Sequence, residues 1–382
     1  MTPLSFTASK ELVDLAMRFI AIEGHIEHPY YERDIAAAVE KTLRVEGIPV
    51  QTREVAPNRF NVMAQLGETD GPTLVLNTHL DTIPAYGMKE AFLPQIKNGL
   101  LRGRGACDVR GALACLCTAM IHLHRKKAVK RGKVIFLATC DEESGSLGAR
   151  DALQTLQADA AIICEPTGLN IGVAHKGVEW FQADFSGKAA HSGDPTKGEN
   201  AIHKAARFAE AVRLYEQNEL QMRKHPLIGP STINIGTIHG GSKPTVVPDA
   251  CTITFDRRWI PSEARQQVWR ELEKLCASEG ATLQSLLGGE AAPLPPMELA
   301  ESAPVLQSLQ KAQETISGEK RPVVGVPFWT EAALFTEMGK MQAVVLGPGY
   351  GEHAHSTEET VPIDQLVDAC RIYIEAARHF CA

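Results

Sequence analysis

The sequence predicts an α/β protein in which a domain built on a mostly parallel sheet is interrupted by a smaller α+β domain. Short apolar strands alternate with helical segments up to about residue 164, and the pattern changes from about residue 173. The α/β pattern resumes after a Pro-rich segment at 292–296. We therefore expect residues 1–174 and 291–382 to form the first domain and residues 175–290 the inserted one.

The elements of the first domain follow from hydrophobic periodicity. Apolar residues recur at helical spacing over 12–20 and 35–43, and a buried helix is predicted over 111–124. Strands are predicted at 61–65, 73–77, 134–139 and 160–164. After the insertion come a helix near 305–316, a strand at 342–346 and a final helix from Ile363.

The inserted segment has its own order of elements. Strands are predicted at 177–187, 231–238, 250–259 and 282–287, and helices over 200–216 and 262–278, the second with Ser262 as N-cap. Strand–helix–strand–strand–helix–strand is the order of a split βαβ domain.

Composition excludes several classes of protein. The chain of 382 residues carries 46 acidic and 39 basic residues, a net charge of −7 that argues against nucleic-acid binding. It has no apolar run of membrane-spanning length, and its first residues lack the features of a secretory signal. The nine cysteines include no CxxC pair and are interpreted as reduced thiols of a cytoplasmic protein.

Histidines and carboxylates follow the ends of the predicted strands, where ligand sites of α/β sheets gather. The segments are THLD at 78–81, GACD at 105–108, CDEE at 140–143, CEP at 164–166 and HAH at 353–355. With 46 acidic residues in the chain, a single pair such as Glu358 and Glu359 indicates nothing alone. Several imidazoles and carboxylates together predict one or two divalent cations, Zn²⁺ first, with Co²⁺ or Mn²⁺ as alternatives.

The spacing within two segments suggests roles. His79 and Asp81 lie two residues apart, so an extended backbone lets the histidine bind metal while the aspartate orients it. Glu142 and Glu143 would point opposite ways on an extended backbone, so that one binds metal and the other acts as general base. A serine-hydrolase GxSxG, a GxGxxG and a P-loop are all absent. An amidase with Cys107 or Cys140 as nucleophile and a non-catalytic binding protein stay open.

Five motifs extend over nearly the whole chain in the order NTHLDTIPA, GRGACDVRGALA, CDEESGS, CEPTGL and GPGYGEHAHSTEE. Together they resemble the dinuclear zinc metallohydrolases of peptidase family M20. That family includes acetylornithine deacetylase, succinyl-diaminopimelate desuccinylase and glutamate carboxypeptidase. The resemblance implies a zinc-exopeptidase-like catalytic domain interrupted by a ferredoxin-like lid and dimerisation domain, and hence a homodimer.

The resemblance also implies roles for individual residues. His79 and Glu165 would hold one zinc ion, Glu143 and His355 the other, and Asp108, followed by a cis peptide bond, would bridge them. Asp81 would orient His79, and Glu142 would be the general base for a water that bridges both ions. His191 would stabilise the oxyanion in the partner subunit, and Arg258 would bind the substrate carboxylate. Their alternative readings are a local loop hydrogen bond for His191 and a strand-edge salt bridge for Arg258.

The implied reaction is hydrolysis of the amide bond of an N-acyl amino acid or a dipeptide. Thr-Glu-Ala at 330–332 and Gly-Pro-Gly at 347–349 favour N-acetylornithine-type deacetylation. A succinyl-diaminopimelate desuccinylase or a glutamate carboxypeptidase-like enzyme is the alternative.

Overall fold

The computed structural model describes residues 6–68, 70–287 and 294–382. The chain divides into two compact units. One runs up to Val173 and resumes at Leu299, and the other comprises Ala174–Glu298. The predicted boundary at residues 290–291 lies outside the described residues.

The first stretch of the chain forms the larger part of the first unit. In chain order its elements are α1 (Phe6–Ile20), α2 (Arg33–Val45), β1 (Val50–Ala56), β2 (Arg59–Leu66), β3 (Thr73–His79), β4 (Gln95–Lys97), β5 (Leu100–Arg102), α3 (Arg110–Arg125), β6 (Lys133–Thr139), α4 (Leu147–Ala152), β7 (Ala160–Ile163) and β8 (Ile171–His175).

The second unit contains β9 (Gly177–Ser186), α5 (Ala201–Asn218), β10 (Lys224–His225), β11 (Gly229–Pro230), β12 (Thr232–Gly240), β13 (Ala250–Trp259), α6 (Arg265–Ser278), β14 (Ala281–Ser285) and β15 (Met297–Glu298). The first unit then resumes with α7 (Pro304–Ser317), β16 (Val323–Val326), α8 (Ala332–Glu337), β17 (Gln342–Val345), β18 (Thr360–Pro362) and α9 (Ile363–Phe380).

The central sheet of the first unit has the strand order β1-β2-β6-β3-β7-β17-β8. Its four middle strands, β6, β3, β7 and β17, run parallel, and antiparallel strands flank them. Because the middle strands are buried on both faces, they are almost continuously apolar. The α/β prediction is therefore confirmed. The register pairs His79 with Thr139 and Asn77 with Ile163, so neighbouring strands end together.

The second unit is a split βαβ domain. Its sheet order β12-β13-β9-β14 places the first and third strands in the middle, and α5 and α6 pack with the sheet around Phe181, Phe208 and Phe255. The prediction of Ser262 as the N-cap of α6 is wrong, because the helix begins at Arg265 with Ala264 as N-cap. Glu263 accepts the Ile260 N–H and closes a turn first.

Two further findings concern the chain as a whole. All nine cysteines are buried and free of disulfides. Among the residues that the structure describes, none of the helices combines the length and hydropathy needed to cross a membrane.

Candidate metal centre

The carboxyl ends of the parallel strands bring all five predicted metal ligands together. His79 is the last residue of β3, and Glu143 and Glu165 lie in the segments after β6 and β7. Asp108 lies just before α3, and His355 lies in the loop between β17 and β18. Neighbouring parallel strands that end at the same level place these loops at one edge of the sheet.

Asp108 lies between the two histidines. Its Oδ1 is 3.0 Å from His79 Nε2, and its Oδ2 is 3.3 Å from His355 Nε2. One carboxylate therefore presents one oxygen to each imidazole, which is the arrangement a bridging ligand needs. The Asp108–Val109 peptide bond is cis, as the resemblance implies.

The other two carboxylates divide between the histidines. Glu165 Oε1 lies 3.6 Å from His79 Nε2, and Glu143 Oε2 lies 3.1 Å from His355 Nε2. Single donor atoms of His79, Asp108 and Glu143 all lie within 4.8 Å of one another. His79 is buried whereas the side chain of His355 is 52% exposed, so the site is open to solvent on the His355 side.

Asp81 contacts both His79 and the turn that carries the adjacent glutamates. Its Oδ1 lies 3.3 Å from His79 Nδ1, which leaves His79 Nε2 directed at Asp108. The same carboxylate accepts the backbone N–H groups of Glu142 and Glu143, at 3.2 and 3.1 Å. Glu142 and Glu143 lie in a turn rather than in an extended segment, and this double hydrogen bond holds the turn.

The electrostatics of the centre are those of crowded, buried carboxyl groups. Burial raises the pKa of Glu142 and of Glu165 well above the usual range, and burial and the charge of Asp108 raise the pKa of Glu143 to about 7. Hydrogen bonds to Asp108 and Glu143 raise the pKa of His355 to about 10. Burial alone would raise the pKa of Asp108, but hydrogen bonds from the two histidines lower it.

This donor set fits divalent cations. Two imidazoles and three carboxylates are the nitrogen and oxygen ligands of zinc-type sites, and an arrangement of two histidines on the two sides of one aspartate suits a pair of ions. Buried carboxyl groups with raised pKa values are costly as anions, and a bound cation offsets that cost.

The two predicted site residues of the second unit have local partners. His191 is exposed, and its Nδ1 accepts the Gly193 N–H at 3.0 Å. Arg258 is partly buried on β13, and its Nε donates to Asp256 Oδ1 at 3.1 Å. The His191 contact is that of its alternative reading, and the Arg258 contact is a salt bridge within β13, a middle strand of its sheet. The roles of the two residues stay predictions.

The two candidate nucleophilic thiols are unsuited to that role. Cys107 and Cys140 are fully buried, and burial raises the pKa of each thiol. A reactive cysteine needs the opposite, a thiolate stabilised at neutral pH.

Sequence reasoning missed buried carboxylates near the centre, among them Glu331 and Glu359. Glu331 precedes α8 and accepts the Thr139 hydroxyl at 2.7 Å, and burial raises its pKa to about 7. Glu359 accepts the backbone N–H groups of Cys107 and Asp108. Glu331 was visible only as part of Thr-Glu-Ala, and Glu359 only as one of an acidic pair.

Comparison with known sequences shows the family of the chain. The model of peptidase family M20/M25/M40 matches residues 75–379. The acetylornithine deacetylase of Edwardsiella ictaluri is 32% identical over 352 residues, covering 89% of this chain and 87% of that protein. A peptidase M20 domain-containing protein of Schizosaccharomyces pombe is 30% identical over 349 residues, covering 90% and 78%.

Solved structures share the fold over nearly the whole chain. An aminopeptidase PepT from Bacillus cereus has a TM-score of 0.81 at 23% identity, covering 98% of this chain and 99% of that chain. An M20 family metallo-carboxypeptidase from Sulfolobus solfataricus has a TM-score of 0.80 at 19% identity, covering 97% and 99%. A dinuclear metal binding peptidase from Bacillus subtilis has a TM-score of 0.73 at 18% identity, covering 97% and 98%.

Proposed function

The chain belongs to peptidase family M20/M25/M40, a family of metal-dependent hydrolases acting on amide bonds, and on that premise we propose that it deacylates an N-acyl amino acid. An N-acetylornithine-type compound is the proposed substrate. The observation that carries the proposal is the convergence of two histidines and three carboxylates beside Glu142 at one edge of the sheet.

The proposed cofactor is a pair of Zn²⁺ ions. His79 and Glu165 would hold one ion, Glu143 and His355 the other, and Asp108 would bridge them. Bound there, the ions supply Lewis acidity, which polarises the acyl oxygen and makes a water more acidic.

Glu142 is the proposed proton carrier. Its carboxylate takes a proton from the attacking water and returns it to the nitrogen of the departing amine. Burial raises the pKa of Glu142, which makes its carboxylate a stronger base toward the water. Asp81 positions it through the Glu142 and Glu143 N–H groups.

His191 and Arg258 are proposed to contact the substrate. Since His191 Nδ1 accepts the Gly193 N–H, the proton of a neutral ring resides on Nε2, which can donate to an oxyanion. Arg258 binds Asp256 through Nε, and a planar guanidinium can still present its terminal nitrogens to a carboxylate. We propose a homodimer in which His191 serves the partner's site.

The substrate rests on the relatives. Those named acetylornithine deacetylase match at 28–32% identity, whereas the solved structures are mainly of peptidases. A desuccinylase or a carboxypeptidase-like enzyme is therefore the second candidate. A non-catalytic binding protein is disfavoured because all seven site positions of the first unit carry functional residue types. Nine buried free thiols support a cytoplasmic location as part of the proposal.

A substrate panel tests the proposal. Full-length protein is depleted of metal with a chelator, reconstituted with Zn²⁺ and assayed on N-acetylornithine, N-acetylmethionine, N-succinyl-diaminopimelate and dipeptides. We expect activity only after reconstitution, with the highest kcat/KM for N-acetylornithine. A higher kcat/KM for a succinyl compound or a dipeptide would identify that class as the substrate instead. If the protein hydrolyses none of the compounds in a metal-dependent way, the proposed function is refuted.

A further inference from the structure

A buried ion pair outside the predicted ligand set contacts the backbone of the metal centre. Arg104 and Glu359 are almost inaccessible to solvent, and Arg104 Nη1 lies 2.5 Å from Glu359 Oε2. They are 255 residues apart in sequence. Neither residue contributes a ligand to the centre, so the pair needs another explanation.

Glu359 holds the backbone of the proposed bridging ligand. Its Oε1 accepts the N–H groups of Cys107 and Asp108, at 2.9 and 3.0 Å. Two hydrogen bonds from consecutive amides to one carboxylate oxygen fix the position and direction of the chain where the Asp108 side chain begins.

Arg104 connects its own segment, which leads to Asp108, to two other loops of the centre. Its Nε and Nη2 donate to the carbonyls of Pro84 and Ala85, at 3.1 and 3.2 Å, in the loop that follows Asp81. Its Nη1 also donates to the carbonyl of Ser356, at 3.3 Å, next to His355. The planar guanidinium therefore spans three chain segments that surround the proposed ions.

The loop of His355 shows why such a restraint is needed. His355 has a φ of 62°, in the left-handed region that costs a non-glycine residue roughly 1 kcal/mol or more. A half-exposed residue adopts this conformation only where its surroundings impose it. The Arg104 bond to the adjacent Ser356 carbonyl is such a constraint.

We propose that Arg104 and Glu359 are positioning residues that set the loops of Asp81, Asp108 and His355 in the metal-binding arrangement before a cation binds. This inference rests on the proposed function only in taking Asp108 and His355 as metal ligands. Without the pair, the cation must order these loops itself, and affinity falls. Loss of a residue that orients metal ligands typically costs about 10–100-fold in metal affinity.

The chain supplies a matched control beside this pair. Arg102 lies two residues before Arg104, and Glu358 lies one residue before Glu359. Arg102 and Glu358 form an ion pair at 3.9 Å in which the Glu358 side chain is 84% exposed. An exposed pair of this kind contributes little, because water solvates both charges. A substitution of Glu358 therefore changes the same charge near the same loop without touching the Asp108 backbone.

The test measures Zn²⁺ affinity of the metal-depleted, full-length protein by competition with a chromophoric chelator. We expect Glu359→Gln to weaken Zn²⁺ binding by about 10–100-fold and Glu358→Gln to stay within twofold of wild type. Leu309→Ala, a core truncation in α7, controls for lost stability and should leave the affinity unchanged. Wild-type affinity in a folded Glu359→Gln protein, or an equal loss in Glu358→Gln, would overturn the proposal.

A second variant covers the case in which Glu359→Gln fails to fold. Glu359→Asp keeps the charge opposite Arg104 but draws the carboxylate back by about 1.5 Å, too far to accept both amides. It should lose Zn²⁺ affinity and show faster amide hydrogen exchange over 103–108 and 353–358 in the metal-free state. Unchanged affinity and exchange would overturn the proposal. Neither readout needs activity, so a wild-type protein that binds Zn²⁺ in this way yet hydrolyses no substrate would refute only the proposed function.

Discussion

Replacement of Asp81 by asparagine tests whether this residue organises the centre. The backbone N–H groups of Glu142 and Glu143 donate to its Oδ1 and Oδ2. Its Oδ1 also lies 3.3 Å from His79 Nδ1, which makes its hydrogen bond of 3.1 Å to the Asp81 backbone carbonyl. An asparagine offers one oxygen and one amide nitrogen, which donates and cannot accept. Even if the oxygen of the asparagine takes the Oδ1 position, its amide nitrogen takes the Oδ2 position. The Glu143 N–H then meets another donor instead of an acceptor.

The size of the expected loss follows from the one buried N–H group that the asparagine leaves without an acceptor. A buried donor left without a partner costs about 1–3 kcal/mol, which corresponds to roughly 5–150-fold. Because Asp81 contacts a proposed metal ligand and the turn of the proposed base, we expect Zn²⁺ affinity and kcat/KM to fall together by this amount. The assays are chelator competition and hydrolysis of the best substrate of the panel at saturating Zn²⁺.

Asp159→Asn is the matched control. Asp159 accepts the Thr73 N–H at 2.7 Å, at the end of β3 that is remote from the centre, so this variant makes the same chemical change to another carboxylate that accepts a backbone N–H. Asp159→Asn should leave the Zn²⁺ affinity and kcat/KM within about twofold of wild type. If Asp81→Asn also stays within twofold, or if Asp159→Asn loses as much, the reasoning about Asp81 is wrong.

Glu142→Gln should lower kcat by about 10²–10⁴-fold with unchanged Zn²⁺ content by metal analysis, and a lower Zn²⁺ content would make it a ligand instead of the base. Thiol alkylation of the folded protein should leave activity intact, because Cys107 and Cys140 are buried; inactivation that a serine at either position prevents would restore the cysteine hypothesis. Burial alone would raise the pKa of Glu271, but hydrogen bonds to its carboxylate lower this pKa to about 2. The hydrogen bond from Arg223 has the largest effect. The stability that ionised Glu271 gives the folded protein is present above the pKa of a glutamate in the unfolded chain, near 4.3. This stability is lost as the pH falls toward 2. Urea unfolding between pH 7 and 3 should therefore show a shallower acid decline for Glu271→Gln, and an unchanged decline would contradict this.

The α/β organisation was predictable because its signals are local. A strand such as β3, buried on both faces, must be apolar along its length, and amphipathic helices repeat their apolar residues each turn. The bounds of β13 were predicted to the residue. The N-cap of α6 was not, because the Glu263 turn that precedes the helix is held by an ion pair with Arg223, which is 40 residues away in sequence.

The sequence alone pointed to the candidate ligands, because histidines and carboxylates gather in short motifs that can be read locally, and the resemblance to family M20 then selected five of them. Only the tertiary structure decided how they are arranged. It gave Asp108 one histidine on each side, placed Glu142 and Glu143 in a turn held by Asp81, and distinguished Glu359, buried against Arg104, from its exposed neighbour Glu358. Periodicity reports which face of an element is buried. Which carboxylate meets which cation depends on packing between segments up to 255 residues apart, and no local pattern encodes that contact.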